Sequence, residues 1–279
     1  MLVTLKDLLD LAEKGNFAIP AFNVYNTETI MGVIKAAEET KAPVILQVYP
    51  RLMAEEVGYY ISPSIVAAAH KASVPVCFHL DHGPSELVVQ RALRWGATGI
   101  MYDGSALPFE ENIKNTKHIV DICSTLDIAV EGELGHVGSV NDDSMEEYTD
   151  PKEAAEFVEK TGVSCLAVLI GNAHGHYKKE PKLDIERVKN IREATGGIPL
   201  VLHGGSGIPD EQVKAAIACG VRKFNIATDV CAAFAKGTKE TLDDPKRSVA
   251  IDLFMKHPIE SVKQLALKNI KLVGADGKA

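Results

Sequence analysis

The chain has 279 residues, 46% of them hydrophobic and 24% charged, with a formal net charge of −8. No apolar stretch approaches the ~20 residues that span a bilayer, and no basic cluster is long enough to suggest a nucleic-acid or membrane surface. Five widely spaced cysteines without a C-x-x-C pair argue against a disulfide framework or a thiolate metal site; they read as reduced, mostly buried small hydrophobes, Cys231 being the least clear of them.

In chain order, residues 1–14 alternate apolar and charged side chains at helical spacing and lack the basic start and unbroken apolar core of a secretory signal, so a cytoplasmic location is expected. Eight apolar, strand-like runs lie at 17–24, 44–49, 74–82, 99–103, 128–134, 165–170, 198–203 and 221–227. Segments of helical period separate them, at 28–39, 85–95, 113–126, 154–160, 185–194 and 210–219. Eight βα units in about 230 residues match a (β/α)8 TIM barrel, in which the loops after the strands gather at one face. A doubly wound open sheet is the alternative, but it gives less reason for residues from strands three, six and seven to meet. Beyond residue 229 the pattern turns helical and charged up to a glycine-containing tail at 274–279, which reads as a C-terminal helical extension of one domain over 1–279.

Three histidines close apolar runs and are each followed by glycine: His82 in Phe-His-Leu-Asp-His-Gly, His174 in Gly-Asn-Ala-His-Gly and His203 in Leu-Val-Leu-His-Gly-Gly-Ser-Gly. A lone histidine of this kind is usually a satisfied core residue. Three in the same local context point to a metal held by three imidazoles with a fourth position open, the pattern of a catalytic rather than a structural zinc. Other polar residues sit at the same strand ends: Asn23, Asn26, Gln47, Asp81, Asp103, Glu131, Glu133, Asn225 and Asp229. Asp81 precedes His82, and the two can face one site only where the strand ends, a turn that Gly83-Pro84 supplies. Beside a metal, Asp81 suits a general acid/base; its plainer role, capping the next helix, is one Ser85 can fill. Glu131 and Glu133 share a strand face and suit outer partners or an alternative metal ligand. Glycines 204 and 205 with Ser206, leading into a helix, form a candidate anion site, and the segment 223–229 repeats that pattern.

With these motifs in order, the chain resembles the class II, zinc-dependent ketose-bisphosphate aldolases. The likeness runs from Ile-Pro-Ala-Phe-Asn-Val (19–24) through His-Leu-Asp-His-Gly (79–83), Asp-Gly-Ser-Ala-Leu-Pro-Phe-Glu-Glu-Asn-Ile (103–113) and Glu-Gly-Glu-Leu-Gly (131–135). It continues in the His174 and His203 motifs and in Asn-Ile-Ala-Thr-Asp (225–229). The resemblance implies Zn2+ on His82, His174 and His203, with Glu133 the family's buried glutamate near the metal, and a monovalent cation as a further candidate. It implies Asp81 as acid/base for the C4 oxygen of a ketose phosphate cleaved to dihydroxyacetone phosphate and an aldehyde through a zinc-stabilised enediolate. It implies Asn23, Gly175, Gly204, Gly205, Ser206, Asn225, Ala227 and Thr228 as contacts to the sugar phosphate, and a homodimer or homotetramer. Ala227 is more like the tagatose-bisphosphate type than fructose-bisphosphate enzymes with aspartate there.

Two departures bear on the chemistry. The loop after the fifth strand carries Asn141 where the family has the glutamate assigned to the C3 proton, and an asparagine is no base; Asp142 is the first substitute, with Asp143 and Glu146 behind it. The loop after the second strand, Gln47-Val-Tyr-Pro-Arg51, lacks a Ser/Gly-rich phosphate contact, which points to an aldehyde other than glyceraldehyde 3-phosphate. The competing readings are a ketose 1-phosphate aldolase with a different aldehyde, a Schiff-base aldolase using Lys223, and a non-catalytic sugar-phosphate-binding barrel subunit. The ligand set also admits cobalt, manganese or iron.

Overall fold

Eight parallel strands close on themselves in sequence order: β1 (Ile19–Asn23), β2 (Val44–Val48), β3 (Val76–Gly83), β4 (Gly99–Tyr102), β5 (Val130–Leu134), β6 (Cys165–Val168), β7 (Leu200–Leu202) and β8 (Val221–Ile226). The computed structural model describes residues 1–137, 148–175, 177, 180–244, 246 and 250–279. The ring closes where β8 meets β1, with Ala21 opposite Asn225 and Ile19 opposite Lys223. This is the (β/α)8 barrel expected from the alternation of apolar runs, and the strands are buried almost throughout, which is why they read as continuous rather than alternating hydrophobic stretches.

Helices alternate with the strands: α1 (Leu5–Gly15), α2 (Thr27–Thr40), α3 (Pro50–Ala54), α4 (Glu56–Lys71), α5 (Glu86–Arg94), α6 (Phe109–Ser124), α7 (Pro151–Thr161), α8 (Ile185–Ala194), α9 (Asp210–Ala218), α10 (Thr228–Asp243), α11 (Ile251–Phe254) and α12 (Lys256–Leu272). The sequence reading marks no element over α3 and α4. Pro50 opens α3, where a missing N–H costs nothing, and Pro63 lies inside α4, where it interrupts the signal without ending the helix. Asn26, grouped above with residues suited to chemistry, caps α2 instead: its side chain accepts from the Thr29 amide at 2.9 Å. Ser85 occupies the N-cap of α5 but makes no side-chain capping bond, so the capping role assigned to it is unfilled.

Past β8, α12 packs on α2 and α10 through Ile259, Val262, Ala266 and Ile270, buried at the three- and four-residue spacing of one helix face. Burial of each of the larger ones contributes about 1.5–3 kcal/mol. The extension therefore closes the outer layer beside β1 and β8, the strands that supply Asn23 and Asn225. No helix among the described residues is long and apolar enough to cross a membrane.

Candidate metal and catalytic site

The site begins where β3 ends. Asp81 is buried, and each of its carboxylate oxygens accepts an amide hydrogen bond, Oδ2 from Asn23 Nδ2 at 2.8 Å and Oδ1 from Asn225 Nδ2 at 3.2 Å. Asn23 is held in turn by Gln47, whose Nε2 donates to Asn23 Oδ1 at 2.7 Å. The turn that brings Asp81 and His82 to one side comes at His82 itself, at φ +46°, and not at Gly83-Pro84 as the sequence suggests. The register of β3 against β4 shifts between Leu80 and Gly83, and this bulge re-aims the imidazole.

His82 donates from Nδ1 to Asp103 Oδ2 at 2.7 Å, and its Nε2 lies 3.0 Å from His203 Nδ1. His203, fully buried, donates from Nε2 to Glu131 Oε1 at 2.8 Å. Each ring thus has its outer nitrogen committed to a carboxylate and its inner lone pair turned towards the other ring. Two lone pairs at that separation repel unless a proton or a cation lies between them. Carboxylate-backed imidazoles facing inward are the usual outer support of a metal site. His174 completes the group: its ring centroid is 5.0 Å from that of His82 and 5.8 Å from that of His203, and its buried Nε2 has no hydrogen-bond partner. One ligand atom from each of the three histidines lies within 4.8 Å of the others. These residues fit a divalent cation. His174 stands on the loop beyond β6, which ends at Val168, and not at a strand terminus.

The electrostatics sort the ring further. Burial, then the neighbouring His82 charge, pushes His174 down to about 4, and burial holds His203 well below its ordinary range, so both are neutral at pH 7. Burial opposes charge on His82 too, but Asp81, Asp103 and Glu133 outweigh it and raise it to about 10. Carboxylates that attract a proton to His82 attract a cation to the same place. Glu133 is pushed up to about 8 by burial and by Asp103. Its Oε2 lies 3.7 Å from His82 Nδ1, the outer nitrogen, and it groups with His82 and Asp103 as a second possible ligand set that shares only His82 with the three histidines. The structure therefore brings Glu133 behind His82 and not in with His174 and His203.

A cavity of about 410 Å³ opens over these groups. Its lining includes Asn23, Gly175, Gly204, Gly205, Ser206, Asn225, Ala227 and Thr228, every described position expected to contact a sugar phosphate, together with Asp81, His82 and His174. Gly204 has φ +62°, and a side chain on it would drive into the Ala173 carbonyl; one on Gly205 would strike the Phe224 ring. Gly204 is fixed by close approach of the backbones after β6 and β7, and Gly205 by the Phe224 ring of β8. Asp142, with Asn141, Asp143 and Glu146, lies outside the described residues.

Several contributors are absent from the sequence reading. Ser105 Oγ bridges Asp103 Oδ1 at 2.7 Å and Glu133 Oε1 at 3.0 Å. Tyr177 accepts from the Ala173 amide at 2.8 Å and donates to the Gly204 carbonyl at 3.0 Å, tying the His174 loop to the loop after His203. Tyr25 and Tyr49 line the cavity, together with Arg51 of the segment already singled out in the sequence. An aromatic in an otherwise polar loop was the available signal for Tyr177.

A family model described as fructose-bisphosphate aldolase class-II matches residues 3–278. The chain belongs to the class II fructose-bisphosphate aldolase family. Among the class II aldolases and their relatives, it is 46% identical over 274 residues to the uncharacterised protein YdjI of Escherichia coli K12, covering 96% of each chain. The crystal structure of that YdjI aldolase superimposes with a TM-score of 0.90 over 100% of both chains at 44% identity. Fructose-bisphosphate aldolase from Campylobacter jejuni matches with a TM-score of 0.80 at 26% identity, covering 100% of this chain and 97% of the other. Membership of the class II aldolase family supports a lyase role, and metal dependence is general in that family.

Proposed function

We propose that the protein is a metal-dependent aldolase that reversibly cleaves a ketose phosphate or bisphosphate to dihydroxyacetone phosphate and an aldehyde. The observation that carries this reading is the convergence of His82, His174 and His203 beside Asp81, with His82, His174 and Asp81 lining one cavity. A divalent cation there, Zn2+ in the first instance, supplies the positive charge that makes the ketone an electron sink.

The chain's own residues do the rest. Asp81, locked by Asn23 and Asn225, takes the proton of the C4 hydroxyl as the C3–C4 bond breaks; the bonding pair stays with C3 and C4 becomes the aldehyde carbon. In condensation Asp81 returns that proton to the C4 oxygen. The proton exchanged at C3 falls to the loop after β5, with Asp142 the first candidate. The phosphate of the three-carbon product sits against Gly175, Gly204, Gly205 and Ser206 and the start of α10 at Ala227–Thr228, where first-turn amides favour an anion. The same reading carries a single-domain, cytoplasmic homodimer or homotetramer as its expectation.

The test is release of dihydroxyacetone phosphate from fructose 1,6-bisphosphate and tagatose 1,6-bisphosphate, with EDTA and with zinc restored. EDTA-sensitive cleavage of either supports the aldolase and ranks its stereopreference. Metal-dependent proton exchange at C3 of dihydroxyacetone phosphate without cleavage keeps the chemistry and redirects it to another aldehyde. Neither activity in metal-loaded protein would leave the binding-subunit reading in its place.

Arg51 is the only arginine or lysine among the described residues lining the cavity, and it follows Tyr49 in the segment after β2, at the start of α3. Arg51→Met is expected to raise KM about tenfold for aldehydes bearing a phosphate or carboxylate, the scale of one charge-assisted hydrogen bond, and to leave neutral aldehydes unaffected. Equal effects on both would remove Arg51 from substrate recognition.

A further inference from the structure

Lys223 is fully buried on β8 and lines no part of the cavity, so a Schiff base with substrate is out of its reach. Its ammonium nevertheless touches two groups that the reaction needs. Across the barrel interior it lies 2.9 Å from Glu131 Oε2 on β5, and along its own strand it donates to Asn225 Oδ1 at 2.7 Å. Both partners, one an ion pair and the other a hydrogen bond, pass the contact on. The other oxygen of Glu131 takes the Nε2 proton of His203. The other end of the Asn225 amide donates to Asp81 Oδ1 and rests 3.2 Å from His203 Nε2.

We propose that Lys223 is the positioning residue that sets the tautomer of His203 and the orientation of Asp81 together, through Glu131 on one side and Asn225 on the other. The proposal rests on the aldolase reading above. The geometry explains why an ammonium is used. An amide can flip, but with its carbonyl held by Lys223 only the NH2 end is left to meet the Asp81 carboxylate. A carboxylate can rotate, but with Oε2 anchored Oε1 stays on His203, keeping the Nε2 proton in place and the Nδ1 lone pair turned inward. His79 Nε2 also lies 3.5 Å from Glu131 Oε2, too loosely placed to anchor it alone.

The two arms can be separated. Lys223→Met keeps the length of the side chain and removes the donors. The expected result is Zn2+ affinity weakened about tenfold or more, read by competition with a chromophoric chelator, and kcat of the zinc-saturated enzyme lowered by about the same factor with KM for the ketose phosphate little changed. In Lys223→Met with Glu131→Gln, residue 131 can still accept from His203 and no carboxylate is stranded. That double variant is expected to regain zinc affinity while its zinc-saturated kcat stays low, because Asn225 remains unanchored. A Lys223→Met protein with wild-type zinc affinity and wild-type kcat per folded molecule, whatever its melting temperature, would overturn the proposal. If Lys223→Met alone does not fold, the double variant decides: affinity and kcat recovering together, or failing together, would sink the two-arm role. Zinc affinity is read without turnover, so an inactive wild-type protein would count against the aldolase reading and leave the His203 arm to be judged on affinity.

Discussion

His203→Ala removes zinc binding by more than the roughly 100-fold that loss of an outer partner costs, and with it all measurable aldol cleavage. The residue is fully buried, its Nδ1 faces His82 Nε2 at 3.0 Å, and its Nε2 satisfies Glu131. Truncation therefore takes away a ligand and removes the donor to a buried carboxylate oxygen in one step. His174→Ala has the same expected direction with less damage to the fold, because the Nε2 it removes has no hydrogen-bond partner to strand. Chelator competition gives the affinity, and the zinc-restored assay gives the activity. Protons supply a second readout. His82 is raised to about 10 and holds a proton at pH 7, whereas His174, at about 4, does not. Zinc uptake at neutral pH is therefore expected to release about one proton, and apparent affinity to fall as pH falls below 10. Uptake with no proton release, or affinity that rises on acidification, would contradict the assignment of His82.

Asp81→Ala lowers kcat by about 10²- to 10⁴-fold, the range for loss of a general acid/base, while zinc affinity and KM stay near wild type. Alanine is the informative substitution. In Asp81→Asn, one of the two amide donors from Asn23 and Asn225 would meet another NH2 group, so a loss there mixes chemistry with repacking. Single-turnover cleavage separates the proton step from product release. A drop confined to zinc affinity would place Asp81 in support of the metal and not of the C4 oxygen.

The barrel and the convergence of His82, His174 and His203 are legible in the sequence because both depend on where strands end, and β-branched runs closed by polar residues mark strand ends plainly. Reading which side chain faces which is harder. Asn26 and Asn23 look alike as asparagines near a strand end, yet one caps α2 and the other holds Asp81, a difference set by a few residues' phase in the turn. Glu133 sits two residues from Glu131 on one strand face, but the bulge in β3 puts it behind His82 while Glu131 reaches His203. Pro63 conceals α4 because propensity argues against a helix that tertiary packing sustains. Contacts between distant loops, such as Tyr177 to Gly204, leave no periodic trace at all.

The Lys223–Glu131 pair sits in the interior layer that barrels of this kind ordinarily fill with branched aliphatics. Taking two ions out of water costs several kcal/mol each before their attraction repays it, and well-packed hydrophobic substitutes for such pairs are often neutral or stabilising. The layer beneath the metal seat is thus a point where folding and chemistry pull apart. An aliphatic filling would give a sturdier barrel with slack histidines, and selection for heat tolerance alone would drift in that direction.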